Sequence, residues 1–329
     1  MTDDRTACAV AHPNIALAKY WGKRPRAGNV PATPSVSLTL SAPLLTQTRV
    51  QFDPALRADT VEINGQTATS GDRTMARVVR VLDEVRVLAA TTDHARVSTK
   101  NSFPTSSGLA SSASGFAALV VAASEAAGLS LTPAQLSQMA RRASASAARS
   151  IFAGWVRLGT QDDAAAEPIA PPDHMPIVML VCAVTDAPKS IGSTEAMELT
   201  RLTSPYYSRW LEDALSLEKV LVEALARRDL EAIGTLAEAS ALRMHSCMLA
   251  SSPPILYFQP ATIALIEKIR QLRKHGLGAW FTIDAGPHVK VICSPNEAPN
   301  VFKQLQPLCG SIMQCAPGDG ARLEPACAF

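Results

Sequence analysis

The sequence predicts an α+β fold, and three observations carry that prediction. Strand-like and helix-like segments intermix without a regular strand–helix–strand beat, which disfavours a doubly wound parallel sheet. Three long helical segments run directly into a hairpin pattern: Ala279 to Ile283, the turn Asp284-Ala285-Gly286-Pro287, then Val289 to Cys293. The composition, 47% hydrophobic against 18% charged, supplies enough apolar material for a packed core. At roughly 100–200 residues per domain, a chain of 329 residues suggests two domains, or one large one.

The elements follow in order. To about residue 60 the chain reads as strands and turns, with Thr48 to Phe52 alternating in strand fashion and Thr60 to Ile63 next. Ser70 precedes a helix with Met75, Val78, Val79, Leu82 and Val85 on one face. Ala95 to Thr99 is a short strand. Ser114 to Ala127 is apolar nearly all round, the pattern of a buried helix, and Gly128 ends it. Thr132 as N-cap and Pro133 at the first helical position open a helix running to about Arg142. Residues 158 to 175 are polar and proline-rich, a surface loop and candidate domain junction, which divides the chain into 1–175 and 176–329. Ile177 to Val184 reads as a buried strand, and helices follow at about Pro205–Arg228, Leu230–Met248 and Ala261–His275.

Several function classes are disfavoured. A net charge of +2 argues against a nucleic-acid partner that depends on a large positive field. The seven cysteines form no CxxC pair and no zinc spacing, so reduced, mostly buried thiols and no metal site are expected. The start, MTDDRTACAV, has acids where a signal peptide has bases. The apolar run Ile177–Val184 is far short of the about 20 residues that span a bilayer. A cytoplasmic protein with no membrane partner is expected.

Four segments carry groups suited to anions. The first runs from Phe103 to Gly115 (FPTSSGLASSASG). Gly108 permits positive φ or close approach of a ligand, and Ser106, Ser107, Ser111 and Ser112 supply hydroxyl donors. The helix that follows aims unpaired N–H groups and its positive dipole end at the loop, which suits phosphate. The GxxxxGK[ST] spacing of a Walker loop is absent. Composition alone would fit a flexible Ser/Ala loop equally well. In the second segment, Pro13 to Arg24, a strand would point Asn14 and Ala16 one way and Ile15 and Leu17 the other. Lys19, Lys23 and Arg24 then gather positive charge beside two aromatics; a solvated basic turn is the plain alternative. The third, Arg141 to Gly154, offers the hydroxyls of Ser144 and Ser146 and the planar donor fork of Arg149. In isolation it reads as a small-residue helix end. The fourth, Phe281 to His288, is in isolation a hairpin turn with Asp284 as turn-former.

Together these segments resemble one family. NSFPTSSGLASSASGFAAL is similar to the PxxxGLxSSA loop of the GHMP small-molecule kinase superfamily, in the form seen in diphosphomevalonate decarboxylases. NIALAKYWGKR resembles that family's NIAxxKYWGKR, RRASASAARS its RxGSGSAxRS, and TIDAGPH its TxDAGPN; Gly192 to Met197 is a weaker match. The matches run in family order from about residue 10 to 295.

The resemblance implies a GHMP kinase fold. A ribosomal-protein-S5-domain-2-like N-terminal domain would face a ferredoxin-like C-terminal domain, with the active site between them. It implies Asp284, Arg149, Lys19 and Asn14 as catalytic residues. Tyr20, Lys23, Ser144, Ser146 and, from the weaker match, Ser193 would bind substrate. Pro104, Ser106, Ser107, Gly108, Leu109, Ala110, Ser111 and Ser112 would hold ATP. ATP and Mg2+ are the implied cofactors, the metal resting mainly on substrate oxygens and water. The implied reaction is ATP-dependent decarboxylation of (R)-5-diphosphomevalonate to isopentenyl diphosphate in isoprenoid biosynthesis. The implied partner is a small phosphorylated 3-hydroxy acid, and family members are often homodimers.

The chain departs from the family at several positions. Thr33-Pro34-Ser35-Val36-Ser37-Leu38-Thr39-Leu40 stands for NSSLSVTL, and Ala143 and Ala145 stand for glycines. His288 stands for asparagine and receives no role. These changes leave a 5-monophosphate or another 3-hydroxy acid open as substrate. A GHMP-type kinase without decarboxylation, and a non-enzymatic binding module, are the alternative readings. Retention of Asp284, Lys19 and Arg149 favours the decarboxylase, because fragmentation needs the substrate carboxylate held in place.

Overall fold

The computed structural model describes residues 5–69, 71–103, 111–185, 187, 189–327 and 329. Ser70 and most of the expected phosphate loop, residues 104–110, lie outside them. The first half contains β1 (Thr6–Ala11), β2 (Asn14–Ala18), β3 (Ser35–Thr39), β4 (Thr46–Asp53), β5 (Thr60–Ile63), β6 (Gln66–Thr67), α1 (Arg73–Ala89) and β7 (His94–Asn101). It continues with α2 (Ser111–Ala126), α3 (Pro133–Ala143), α4 (Ala147–Ser150), β8 (Trp155–Leu158) and β9 (Ala166–Ala170). The second half contains β10 (Val178–Ala183), α5 (Ser193–Thr203), α6 (Tyr207–Ala226), α7 (Leu230–Leu249), α8 (Pro260–Lys274) and β11 (Ala279–Ile283). β12 (Val289–Cys293), α9 (Ala298–Leu305), β13 (Ser311–Cys315) and β14 (Arg322–Glu324) complete it.

Three sheets result, ordered β14-β1-β4-β7-β5-β6, β2-β3-β8-β9 and β11-β12-β10-β13. Among the described pairs only β5 and β7 run parallel, as an α+β fold requires. The last strand, β14, returns to pair with β1 in the first sheet.

Helix α2 is the central element of the first core. Its residues from Phe116 to Ala123 are all buried, and it packs with Ala9, Val50 and Val97 of the first sheet. An all-apolar helix can bury every face, which its sequence predicts. Helix α1 covers the same core with Val78, Val81, Leu82 and Val85. The expected Val79 is only half-buried. The i, i+3, i+4, i+7 stripe that starts at Val78 selects Val81 instead. Helix α3 begins at the predicted cap: Thr132 Oγ1 accepts from the Gln135 N–H, and the Gln135 side chain accepts from the Thr132 N–H.

Strands β10, β11 and β12 of the second-half sheet are buried on both faces. Val178, Leu180, Val289 and Val291 pack with α8 and α9. Met179, Val181 and Ile292 face the other way and join Ile15, Leu17 and Val36 of β2 and β3 in one core, together with Leu217 and Leu221 of α6 and Ile233 of α7. That shared core brings the motifs of the two halves to one place.

The polar stretch 158–175 is not wholly a loop, for it contains β9 at the edge of its sheet. Pro168 is tolerated there because an edge strand can spare one ladder N–H. Five of the seven cysteines are buried and all are free. No helix among the described residues is long and apolar enough to cross a membrane.

Gly154 joins α4 to β8 with φ +65°, and an added Cβ would lie 2.6 Å from Pro172 N and 2.7 Å from Ala170 O. Backbone atoms cannot yield as a flexible side chain does. We therefore expect Gly154→Ala to cost about 1–3 kcal/mol through strain and overpacking. A urea midpoint equal to that of the parent would contradict this.

Candidate active site

Lys19 follows directly on β2, whose register against β3 shifts between Ala16 and Ala18. Its backbone N–H donates to Ser240 Oγ of α7 at 2.9 Å. Its ammonium donates to Ala16 O at 2.8 Å and to Asp284 Oδ1 at 2.5 Å. Asp284 lies just past β11, in the turn to β12. Its carbonyl accepts from His245 Nε2 of α7 at 3.1 Å, and from the Gly286 N–H at 2.7 Å. The second carboxylate oxygen, Oδ2, is 3.1 Å from the ammonium of Lys290 on β12. That contact is an ion pair and is not aligned as a hydrogen bond.

The carboxylate therefore sits between two ammoniums. Lys19 is 2% exposed, Lys290 1% and Asp284 27%. Burial opposes charge on Asp284, but Lys19 and Lys290 outweigh it and hold the carboxyl well below the usual carboxylate range. Burial lowers Lys19 to about 8, with Asp284 opposing the shift and Lys290 and Arg149 adding to it. Both partners of one pair thus shift down, because desolvation dominates the lysine and the two cations dominate the aspartate. Burial, then Lys19, lowers His245 to about 3, so its ring is neutral and Nε2 carries the proton it donates.

The second polar group is built on Arg149 of α4, itself 2% exposed. Its Nε donates to Asn14 Oδ1 at 3.1 Å and Ser37 Oγ at 3.0 Å, and its Nη1 to Ser35 Oγ at 2.8 Å. Asn14 in turn donates to Ser146 O at 2.9 Å and Ser150 Oγ at 2.8 Å. Burial lowers Arg149 to about 10, against the opposing charges of Asp284 and Tyr20, so it stays cationic at neutral pH. Asn14, Lys19, Arg149 and Asp284 come together from β2, α4 and the β11–β12 turn.

The other expected residues are placed as follows. The Tyr20 hydroxyl is buried without a hydrogen-bond partner among the described residues, and burial raises its pKa well above the ordinary phenol value. Lys23 donates to Asn29 Oδ1 at 2.7 Å and to Thr194 Oγ1 of α5 at 3.1 Å. Burial, then Arg77, lowers it to about 8. Ser144 and Ser146 flank the junction of α3 and α4, with hydroxyls 3.3 Å apart. Ser193 opens α5 and accepts from Lys189 at 3.2 Å. Ser111 and Ser112 form the first turn of α2, which holds no acidic residue. Pro104, Ser106, Ser107, Gly108, Leu109 and Ala110 lie outside the described residues.

Two of the substituted positions, Thr33 and His288, use their own side chains to pair main-chain N–H groups, whereas Ala143 contributes only its carbonyl. Thr33 Oγ1 accepts from the Trp21 N–H, and Ala143 O accepts from Arg77 Nε and Nη2. His288 is fully buried, and its Nδ1 accepts from the Val184 N–H at 3.0 Å.

Sequence reasoning misses Lys290, Lys189, His245 and the serine pair Ser35 and Ser37. The signal for Lys290 is a lysine within the otherwise apolar strand VKVIC.

The donor set of ammonium, guanidinium and hydroxyl groups suits a polyanionic ligand. No group of three or more His, Cys, Asp or Glu is placed to hold a metal among the described residues. A magnesium ion carried mainly by phosphate oxygens and water fits that arrangement.

Comparisons with known proteins agree on one family. The model of the diphosphomevalonate decarboxylase-like N-terminal domain matches residues 11–169. That of the mevalonate 5-diphosphate decarboxylase C-terminal domain matches residues 179–317. The chain is 34% identical to the diphosphomevalonate decarboxylase of Ganoderma lucidum, over 88% of this chain and 78% of that one. Mevalonate diphosphate decarboxylase from Enterococcus faecalis superposes with a TM-score of 0.90 at 34% identity, covering 98% of this chain and 99% of its own. A structure of MDDEF in complex with MVAPP, AMPPCP and magnesium gives a TM-score of 0.91 at 35% identity, with coverage of 98% and 99%.

Proposed function

We propose, from the premise that this chain belongs to the diphosphomevalonate decarboxylase family, a role for each group in its cleft. The protein is an ATP-dependent carboxy-lyase. It converts (R)-5-diphosphomevalonate and ATP to isopentenyl diphosphate, ADP, phosphate and CO2. Relatives bound to MVAPP, AMPPCP and magnesium support that substrate set. The observation that carries the residue assignment is the Lys19–Asp284 pair standing beside the Arg149–Asn14 network.

Asp284 accepts a hydrogen bond from the tertiary hydroxyl and aims its oxygen at the γ-phosphorus. Two neighbouring ammoniums make it a weak base, so its contribution is orientation more than proton affinity. Lys19 offsets charge on the transferring phosphoryl group. Mg2+, when bound, neutralises charge on the phosphate oxygens. Once phosphorylated, the tertiary C–O bond breaks with loss of phosphate, and the bond to the carboxylate carbon breaks to supply the new double bond. Arg149 holds that carboxylate opposite the leaving phosphate, its fork already fixed by Asn14, Ser35 and Ser37. Tyr20, Lys23, Ser144, Ser146 and Ser193 bind the substrate phosphates and polar groups. The ATP phosphates lie at the N-terminus of α2, with Ser111, Ser112 and residues 104–110. We further assign residues 1–175 and 176–329 as the two domains flanking this cleft, the last strand, β14, returning to the sheet of the first.

The test is incubation of the pure protein with Mg-ATP and, separately, mevalonate, its 5-phosphate and its 5-diphosphate. We expect ADP and CO2 in equal amounts with the 5-diphosphate. ADP without CO2 would replace the proposal by a kinase, and turnover of the 5-phosphate alone would change the substrate.

A further inference from the structure

We propose that Lys290 is a positioning residue for Asp284, fixing the second carboxylate oxygen while Lys19 engages the first. The inference rests on the reading of Asp284 as a catalytic residue. Lys290 lies within the second-half sheet, opposite Thr282 on β11 and Val181 on β10. Alternation sends Val289 and Val291 into the apolar core under α8 and α9. Lys290 shares its face with Ile292, the face turned toward β2 and β3. Here an ammonium 1% exposed stands where an aliphatic chain would pack without losing solvation. Its contacts among the described residues are few: Asp284 Oδ2 at 3.1 Å and His288 O at 3.4 Å.

Those contacts define a purpose. The terminal torsion of an aspartate is broad, so a carboxylate held at one oxygen can swing. Held at both, it has a fixed plane. Lys19 and Lys290 approach from different halves of the molecule, and each takes one oxygen. When Lys19 turns toward the transferring phosphoryl group, Lys290 still holds Asp284. Among the described residues Oδ2 has no hydrogen-bond partner, so without the Lys290 ion pair it is a buried acceptor with nothing opposite. The charged groups around Asp284 are Lys19, Lys290, Lys189 from the segment before α5, and Arg149 from α4. His245 from α7 and His288 from the β11–β12 turn are neutral. The balance is cationic and keeps Asp284 ionised, and Lys290 is one of the two cations in contact with it.

The test uses Lys290→Met and Lys290→Arg in the full chain, assayed with Mg-ATP and 5-diphosphomevalonate beside Asp284→Asn. In Lys290→Met we expect kcat to fall by roughly 10- to 100-fold, with both KM values within about threefold. We also expect the acid limb of kcat to move to higher pH. The sign follows because loss of a neighbouring cation raises the pKa of Asp284, so protonation sets in sooner as pH falls. Lys290→Arg restores the acid limb and part of kcat. In the Asp284→Asn background Lys290→Met adds no further loss. Lys290→Gln carries the same test should Lys290→Met fail to fold. Parental kcat and acid limb in Lys290→Met, beside an inactive Asp284→Asn, would overturn the proposal and leave Asp284 in its role. So would a lower kcat with an unmoved limb and further loss in the double variant, the signature of a structural lysine. An active Asp284→Asn would overturn the reading of Asp284 itself.

Discussion

Asp284→Asn is expected to retain ATP binding and to lose turnover by roughly 10²–10⁴-fold, the range set by a positioned carboxylate. Asparagine keeps the shape but not the charge. Lys19 and Lys290 then face each other with no anion between them. Orphaning a buried charge costs about 3–5 kcal/mol. We expect about 3, since Asp284 retains 27% exposure. Lys19 is also affected. Its pKa of about 8 already reflects support from Asp284. Loss of that support lowers it further and leaves less of the ammonium charged at neutral pH. Stability should respond to acid in a definite direction. The folded-state pKa of Asp284 lies below its unfolded value of about 3.9. Its stabilisation is therefore present above that value and is lost as pH falls through the folded one. The asparagine variant lacks this loss. Nucleotide titration, steady-state kinetics and urea unfolding at several pH values measure all three effects. Near-parental turnover in a folded Asp284→Asn would remove the assigned mechanism.

Arg149→Lys is expected to lower kcat/KM by roughly 10²-fold or more, although the charge is kept. An ammonium cannot reproduce a planar fork. Nε and Nη1 are committed to Asn14, Ser37 and Ser35, and that anchoring aims the remaining donors. Lysine leaves some of these buried acceptors unpaired, at about 1–3 kcal/mol each. The more telling readout is stoichiometric. If Arg149 holds the substrate carboxylate, phosphorylation should outrun fragmentation in the variant, and CO2 released per ADP should fall below one. A ratio of one with parental kcat/KM would assign Arg149 to the scaffold only.

The legible parts of the fold are those where one local rule governs a long segment. α2 announces itself by apolarity on every face, α3 by Thr132-Pro133, and the β11–β12 hairpin by its turn. β2 and β3 are harder. They are buried on both faces and carry Asn, Ser and Thr at interior positions, so neither period nor hydropathy marks them. Of these polar residues, Asn14, Ser35 and Ser37 serve Arg149. β9 hides in a proline-rich stretch because an edge strand has only half its ladder to satisfy. In the site, Asn14, Lys19, Arg149 and Asp284 are visible through a resemblance in three distant segments. Their mutual contacts are not, since a salt bridge across 265 residues leaves no local trace. Lys290 is illegible for a further reason. A lone lysine in a strand normally marks the solvent side, and here that side is covered by the other half of the molecule.

One helix has a consequence for how this site tolerates motion. Ser240 and His245 of α7 hold the backbones of Lys19 and Asp284, the two ends of one ion pair. Gly234 of the same helix lets it lie so close to β11 that an added Cβ would sit 2.3 Å from the Trp280 ring. The spacing of the pair is thus gauged by an element clamped into the shared core, and not by the turns that carry the charges. A segment that opens locally, as low-stability parts of a protein do, leaves that spacing in place so long as α7 keeps its packing.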